Sequence, residues 1–260
     1  MSKHVWRKIW VWSRNLFLFL FVSSVLAVVA YRFIPVYYTP LMFIRMYEQH
    51  REGKPFKLEH KWVPMERIAQ PLVQAVVASE DNLFLDHNGF DLTQIQKARA
   101  EAEKGGRVRG ASTITQQTAK NVFLWPGKTY LRKGIEVYFT VLIEWIWGKE
   151  RIMEVYLNSI EMGDGIYGAE AVAQAHFGKP AYRLTEAEAA LIAATLPNPR
   201  RFNSAKPSPY MLKRQAKILS LMAKLLKIDM GYDSGDSDPE SGSRKPRKRK
   251  KLRADVFREF

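Results

Sequence analysis

The apolar positions of this chain form one long run near the start and several shorter periodic stretches after it. The long run, from Leu16 to Tyr31, is uncharged, and Ser23 and Ser24 are its only interruptions. As a helix it spans about 24 Å at 1.5 Å per residue, and the apolar residues that flank it extend it to bilayer thickness. This pattern predicts a transmembrane helix over residues 15–34.

The charges that flank this run predict its orientation. Residues 1–14 contain four basic residues and no acidic residue. Because basic segments stay on the cytoplasmic side, we expect a cytoplasmic N-terminus at 1–14 and the remainder of the chain outside. A cleaved signal peptide is the alternative, with V-x-A at 28–30 as the cleavage site. The length of the run favours a single-span anchor, since signal peptides usually have about 7–15 apolar residues.

Residues 35–60 are predicted to form a membrane-proximal segment. Its first part is aromatic and apolar, and Pro35 and Pro40 argue against one continuous helix. Two alternatives remain at this point. The segment either lies against the membrane surface or packs on the following domain as a tether.

Residues 61–230 are predicted to form the main domain, with a mostly α fold. The apolar residues follow the period of helices, and the period of two that marks strands is almost absent. Thr113 with Gln116, and Thr185 with Glu188, match the capping-box pattern that begins a helix. The predicted helices cover residues 64–78, 113–122, 130–147, 149–160, 185–197 and 208–230, and residues 101–110 are predicted to form a loop.

Composition restricts the partners. The formal net charge of +15 favours anionic partners such as phosphates, nucleic acid or an acidic membrane surface. Residues 231–260 are rich in Asp, Ser, Gly and basic residues, and we expect a disordered tail that is either solvated or attracted to anionic lipids. Nucleic-acid binding would require this tail on the cytoplasmic side, which the predicted topology opposes. The absence of cysteine excludes disulfides and thiolate chemistry.

Two polar blocks, residues 79–91 and 109–121, are the main candidates for a site. The first contains Glu80 next to Asp81, directly after an apolar helical run, and the end of the helix dipole there should raise the pKa of Glu80. A second carboxylate, Glu136, lies one helical turn from Arg132. We expect one cleft that contains both carboxylates together with the basic residues Lys120, Lys128, Arg132 and Lys133.

This set of side chains indicates transfer of a glycosyl group from a sugar diphosphate. Paired carboxylates suit glycosyl chemistry, and the cations suit binding of an anionic phosphate leaving group. The five histidines show no metal-ligand spacing, and neither a phosphate-binding P-loop nor a G-x-S-x-G elbow is present. No S-x-x-K motif stands in a suitable place, so no transpeptidase domain is expected.

Four ordered motifs resemble those of the peptidoglycan glycosyltransferases of family 51, in particular their monofunctional, membrane-anchored Gram-negative members. They read E-D-x-x-F-x-x-H-x-G-x-D at 80–91, G-A-S-T-I-T-Q-Q-x-x-K-N at 110–121, R-K-x-x-E at 132–136 and K-x-x-I-x-x-x-Y-L-N at 149–158. A further stretch at 165–179 also follows the family pattern. The resemblance covers roughly residues 61–226.

The resemblance implies a lysozyme-like α lobe with a smaller, membrane-facing jaw lobe. It implies polymerisation of lipid II, with Glu80 as general base and Glu136 assisting on the donor side. It also implies diphosphate binding by Lys120, Lys128, Arg132 and Lys133. Lys128 stands where the family pattern has arginine, which keeps the charge but loses bidentate phosphate binding.

The resemblance assigns further roles to the motif residues and to partners. Substrate binding or shaping of the site is implied for Asp81, Phe84, His87, Ser112, Thr113, Gln116, Gln117 and Asn121. A divalent ion (Mg²⁺ or Mn²⁺) near Glu136 is one option for a cofactor, and no organic cofactor is expected. The expected partners are lipid II, the growing glycan strand and inner-membrane lipids, with other cell-wall synthesis or division proteins as further candidates. Inhibition by moenomycin-like phosphoglycolipids is also implied.

Two other functions fit parts of the pattern. A lysozyme-like hydrolase would use the two carboxylates, but it would not need the cations or the anchor. A non-catalytic scaffold that binds lipid II would not need the intact set of acidic and basic residues.

Overall fold

The computed structural model describes residues 3–103, 105, 110, 112–127 and 129–225, with side chains from Trp6 onward. This part of the chain is mostly helical, as the sequence predicts. Its α-helices are α1 (Lys3–Phe33), α2 (Pro40–Arg51), α3 (Gln70–Glu80), α4 (Leu92–Glu103), α5 (Ile114–Phe123), α6 (Tyr130–Ile146), α7 (Lys149–Ser159), α8 (Ala169–Phe177), α9 (Glu186–Thr195) and α10 (Pro209–Lys224). Short 3₁₀ helices lie at Met65–Arg67 and Ala181–Arg183.

Both predicted capping boxes are present. The Thr113 hydroxyl accepts from the Gln116 backbone N–H, and the Gln116 side chain accepts from the Thr113 backbone N–H. Thr185 and Glu188 make the same reciprocal pair at the start of α9. Helices α5 and α9 therefore begin where their polar side chains satisfy the first backbone N–H groups.

The last helix is shorter than predicted. Its start after Ser208 is as expected, but it ends at Lys224, and Leu225 has extended backbone angles. The amide of Gln74 on α3 donates to the carbonyl oxygens of Met222 and Leu225. A neighbouring helix thus satisfies the terminal carbonyls, so the helix stops before the predicted end at residue 230.

Helix α4 was not predicted, and it includes residues 101–103 of the predicted loop. None of its residues is buried, and Leu92 is exposed. An ion pair between Arg99 and Glu103 joins two successive turns on its surface. The helix gave no signal in the hydrophobic pattern because it has no apolar face against the core.

A small sheet supplements the helices. Its strands are β1 (Glu59–His60), β2 (Glu161–Gly163) and β3 (Ile166–Tyr167), in the order β1-β3-β2. β1 pairs with β3 in parallel, and β2 pairs with β3 antiparallel. Strands of two or three residues are too short to show a period of two, which explains why the sequence did not predict them.

The core contains two helix packings that meet at the site. The alanine-rich α9 packs against α3 and α10, and α5 packs against α6 and α7. Leu72, Val73 and Val76 of α3 are fully buried in the first packing. Ile114 of α5 and Ile143 of α6 are fully buried in the second. The ends of α3 and α5 come together where these packings adjoin.

Helix α1 is long and apolar enough to cross a membrane, and it also contacts the folded domain. The span Trp6–Phe33 has a mean hydropathy of 2.2 over its most apolar part, and most of its side chains are exposed. The indole N–H of Trp147 donates to the Val28 carbonyl at 2.7 Å, and the hydroxyls of Ser24 and Tyr138 lie 2.8 Å apart. The anchor helix is therefore docked on α6.

Helix α2 lies within the membrane-proximal segment. It begins at Pro40, with the Thr39 hydroxyl accepting from the Met42 backbone N–H. Met42 and Gln49 are buried, and the Gln49 amide bonds the backbone of Lys57 in both directions. The segment also packs on the domain, since α2 contacts α5 and Arg45 lies 3.7 Å from Glu161, as one of the two alternatives proposed.

Candidate active site

The carboxylate of Glu80 lies where three helices meet. Glu80 is the last residue of α3, and its Oε2 accepts a hydrogen bond of 3.0 Å from the Gln117 amide of α5. Its Oε1 lies 3.5 Å from Nη2 of Arg214, which α10 contributes. The Glu80 side chain is 15% exposed, so it is largely buried but reachable from the surface.

Burial raises the pKa of Glu80 above its ordinary value. The hydrogen bond from Gln117, the charge of Arg214 and the hydroxyl of Ser79 each lower this pKa, but together they do not cancel the effect of burial. The sequence predicted the direction of this shift and attributed it to the helix dipole. The main cause is instead the loss of water around the carboxylate.

Gln117 is itself held in one orientation. The buried Tyr156 on α7 donates its hydroxyl proton to Gln117 Oε1 at 3.1 Å, which leaves the amide N–H₂ to face Glu80. Burial raises the pKa of Tyr156 well above its ordinary value, so this hydroxyl stays protonated at neutral pH. The two contacts fix which end of the amide faces the carboxylate.

The carboxylate of Asp81, next to Glu80, connects two segments of the site through hydrogen bonds. It is buried, and its carboxylate accepts from the Ile114 backbone N–H and from His87 Nε2. The Gly89 backbone N–H donates to His87 Nδ1, so the ring proton lies on Nε2 and points at Asp81. This network joins the first polar block to the start of α5.

Two further residues of these blocks support the same junction. The Thr113 hydroxyl donates to the Gly89 carbonyl at 2.7 Å. Phe84 is fully buried, and the Lys149 ammonium lies 4.7 Å from the centre of its ring. These side chains hold the loop after α3 against α5 and α7.

The second carboxylate, Glu136, is paired with cations. It is buried on α6, and its Oε2 accepts from Arg132 Nη1 at 2.8 Å. Its other oxygen is bonded to the Lys133 ammonium. Arg132 is also buried, and its Nε has no hydrogen-bond partner in the described part of the chain.

These cations line a cavity of about 380 Å³. Polar and charged side chains of α5, of α6 and of the chain just before α5 form much of its wall: Ser112, Gln116, Gln117, Lys120, Asn121, Arg132, Lys133 and Glu136. Lys120 is exposed towards this space, yet the surrounding protein removes enough water to lower the pKa of its ammonium, an effect that Glu136 opposes. A cavity with this lining is suited to an anionic ligand.

The two carboxylates line two adjoining cavities, and the prediction that these form one substrate cleft stays a prediction. Glu80 lines a neighbouring cavity of about 200 Å³, together with Asp81, Asn82 and Asp91. Ser112 lines both cavities, and Gln117 lines the larger one while it bonds Glu80. The site therefore has an acidic compartment and a cationic compartment, separated by α5 residues.

Three residues at the site were missed by the sequence analysis. Arg214 contacts Glu80, and Arg45 of α2 and Glu161 of β2 line the cationic cavity. Each comes from a segment outside the four motifs, so only tertiary packing places it here. Lys128, which the sequence analysis assigned to diphosphate binding, lies outside the described residues.

The residues around Glu136 do not fit a divalent ion well. Both of its carboxylate oxygens are already bonded to cationic side chains. The described residues contain no group of three or more His, Cys, Asp or Glu side chains that could hold a metal ion. We therefore derive no chemical step through a metal, and the predicted metal ion near Glu136 stays a prediction.

A comparison with known protein families shows which family this chain belongs to. A family model described as "Transglycosylase" matches residues 48–223, which contain both carboxylates and every cation of α5, α6 and α10 discussed above. The chain belongs to the transglycosylase family. This confirms the resemblance that the four motifs predicted. The match begins within α2, before the start at residue 61 that we expected for the domain.

Individual relatives are similar over most of their length, and each is named a biosynthetic peptidoglycan transglycosylase. The protein from Bacteroides thetaiotaomicron is 61% identical over 216 residues, which are 83% of this chain and 87% of the relative. The Caulobacter vibrioides protein is 54% identical over 203 residues, 78% and 86% of the two chains. The Bdellovibrio bacteriovorus protein is 48% identical over 244 residues, 90% and 97% of the two.

Proposed function

We propose that this protein polymerises lipid II into linear glycan strands of peptidoglycan and releases undecaprenyl diphosphate. The observation that carries the proposal is the pairing of a buried, raised-pKa carboxylate with an adjoining cationic cavity. A glycosyl transfer from a sugar diphosphate needs a base for the attacking hydroxyl and positive charge for the leaving group. The two compartments supply one each.

Glu80 acts as the general base in this proposal. Its carboxylate takes the proton of the acceptor's N-acetylglucosamine 4-hydroxyl as that oxygen attacks the anomeric carbon of the growing chain's terminal sugar. The bond from that carbon to the diphosphate breaks, and the configuration inverts from α to β. A raised pKa makes the carboxylate a better proton acceptor near neutral pH.

The cationic cavity would bind the diphosphate. Lys120 and Arg132 face this space, and Lys133 lies beside them. Glu136 lies one turn further along α6 and bonds both Arg132 and Lys133, so its proposed role is to keep these donors aligned. Preorganised cations stabilise the charge that develops on the leaving oxygen without rearranging during the reaction.

The proposed location is the cytoplasmic (inner) membrane, with the N-terminus inside and the domain outside. Helix α1 supports anchoring, and the basic residues that precede its apolar part support this orientation. Lipid II, the growing strand and membrane lipids are the partners that follow from this placement.

The test compares full-length wild type and Glu80→Gln in detergent with labelled lipid II. We expect lysozyme-sensitive polymer from the wild type and a loss of about 10²-fold or more for the variant, since it cannot accept the proton. Glu66→Gln, an exposed glutamate outside both cavities, is the matched control and should polymerise normally.

Other outcomes would favour the other two functions. Cleavage of finished glycan without polymerisation would indicate a hydrolase. Binding of lipid II without turnover by any of the three proteins would indicate a scaffold.

A further inference from the structure

Arg214 is the cation that faces the proposed base from outside the four motifs. Its Nη2 lies 3.5 Å from Glu80 Oε1, on the side opposite the oxygen that accepts from Gln117. This distance is longer than the roughly 2.7–3.2 Å of an ordinary N–H···O bond, so the attraction is mainly between charges.

The groups that face Glu80 include both signs of charge. Asp81, the next residue in the chain, carries a like charge. Ser79 and Gln117 make hydrogen bonds with Glu80, and the buried Tyr156 hydroxyl lies nearby. Among these neighbours in the described part of the chain, Arg214 is the one positive charge. Burial and Asp81 favour the protonated carboxyl, whereas Arg214 favours the ionised form.

Arg214 is not required for holding α10 on the domain. Ile218 and Met222 of α10 are buried, and the Gln74 amide of α3 bonds the carbonyl oxygens at the end of α10. The Nε atom of Arg214 is buried without a hydrogen-bond partner among the described residues. The Arg214 side chain is 27% exposed, so its guanidinium lies at the edge of the site beside Glu80 rather than in the core.

We propose that Arg214 is a positioning residue that keeps the Glu80 carboxylate ionised and oriented until the acceptor hydroxyl arrives. This inference rests on the proposed function, in which Glu80 is the base. Arg214 contributes its fixed charge and does not exchange a proton in the reaction. Burial raises the pKa of Glu80 and the charge of Arg214 lowers it. Without the cation more of the carboxyl group would be protonated at neutral pH and unable to act as a base.

The test measures kcat/KM for lipid II polymerisation against pH with the full-length protein in detergent. The variants are Arg214→Gln and Arg214→Lys, with Lys213→Ala, an exposed cation on the same helix, as the matched control. Loss of the charge raises the pKa of Glu80, so the pH at which activity falls on the acidic side should rise by about one unit in Arg214→Gln. On that limb, kcat/KM should be about tenfold below wild type and recover at higher pH.

The charge-preserving and control variants make the inference falsifiable. Arg214→Lys should restore most of the wild-type acidic limb, and Lys213→Ala should leave it unchanged. Thermal unfolding checks that each variant is folded. The inference is overturned if Arg214→Gln and Arg214→Lys share the wild-type acidic limb, or if the change is only a higher KM at every pH, which would indicate substrate binding by Arg214. In either case polymerisation by the wild type leaves the proposed function standing.

Discussion

At the scale of single residues, neighbouring acids in this protein have different tasks. Glu80 lies at the edge of a cavity, where we propose that it acts as a base, whereas Asp81 accepts hydrogen bonds from α5 and His87. Both lie in the same motif, so only the family resemblance, and not residue type or spacing, assigns them different roles. The distinction arises from which side of α3's last turn faces the start of α5.

Asp81→Asn should destabilise the protein and weaken catalysis at the same time. The substitution removes a buried charge that accepts hydrogen bonds from the Ile114 backbone and His87, with a cost of about 1.5–3 kcal/mol. Urea unfolding in detergent measures the loss of stability. Asp86→Asn, at an exposed neighbour, is the control and should be within about 0.5 kcal/mol of wild type. Equal stability of the two variants would contradict the role assigned to Asp81.

The sequence predicted the motif residues of the site better than their surroundings. Glu80, Gln117, Lys120 and Glu136 lie in recognisable patterns, and the structure places them around two adjoining cavities. Arg214 is far from Glu80 in the chain, and on its own helix it reads as an ordinary surface cation. Only the packing of α10 against α3 brings it to the base, and such packing leaves no local signal.

At the scale of elements, the helices depend on a few tight junctions. Gly168, between β3 and α8, has φ of +84°, and a Cβ atom there would lie 2.5 Å from the Asn158 carbonyl oxygen. The Asn158 side-chain amide in turn accepts from the Val63 backbone N–H and donates to the Val63 carbonyl oxygen. This junction connects α7, α8 and the chain that enters α3.

Gly168→Ala should therefore lower the free energy of unfolding by more than 1 kcal/mol, because it adds both backbone strain and a clash. Thermal unfolding in detergent measures the change. Gly134→Ala is the matched control: Gly134 lies in α6 with open space around it, so alanine should be stabilising by roughly 0.5–1 kcal/mol. If both variants unfolded at the same temperature, the close approach at Gly168 would be wrong.

Helices α2, α4 and α8 and the three strands were not predicted, and for α4 and the strands one physical cause explains the miss. Helix α4 has no buried face, and the three strands contain two or three residues each. Hydrophobic periodicity reveals an element when one of its faces is buried and the other is exposed. Helix α4 and the three short strands lack that contrast along the sequence. Helices α5, α6, α7 and α9 match the prediction to within two residues, whereas α3 begins at Gln70 rather than residue 64 and α10 ends at Lys224 rather than residue 230.

At the scale of the whole molecule, the anchor and the domain form one packed unit. The Arg151 guanidinium on α7 donates to the carbonyl oxygens of Tyr31 and Ile34 at the end of α1. Tyr138 of α6 and Trp147, directly after α6, bond the same helix further along. The polar groups at the junction are satisfied by the domain rather than by water.

Arg151→Ala should loosen this junction without unfolding the domain. Each lost hydrogen bond contributes about 1 kcal/mol, so proteolysis between Ile34 and Thr39 in detergent should become roughly 10–100-fold faster. Arg67→Ala, an exposed arginine remote from α1, is the control and should show the wild-type rate. Equal cleavage rates for both variants would show that these contacts do not hold the anchor.

The docking of α1 has a consequence for how enzyme and substrate meet. A catalytic domain on a flexible tether samples many heights and tilts relative to the bilayer, and few of them place its cavities at the level of a lipid head group. Here the hydrogen bonds from Trp147 and from Arg151 of α7 hold α1 in one orientation on the domain. In the proposed membrane-anchored enzyme this keeps the cavities at one height above the bilayer, so protein and lipid-linked sugar would diffuse in the same plane. The search becomes two-dimensional, and the effective concentration of substrate is set by its density in the membrane.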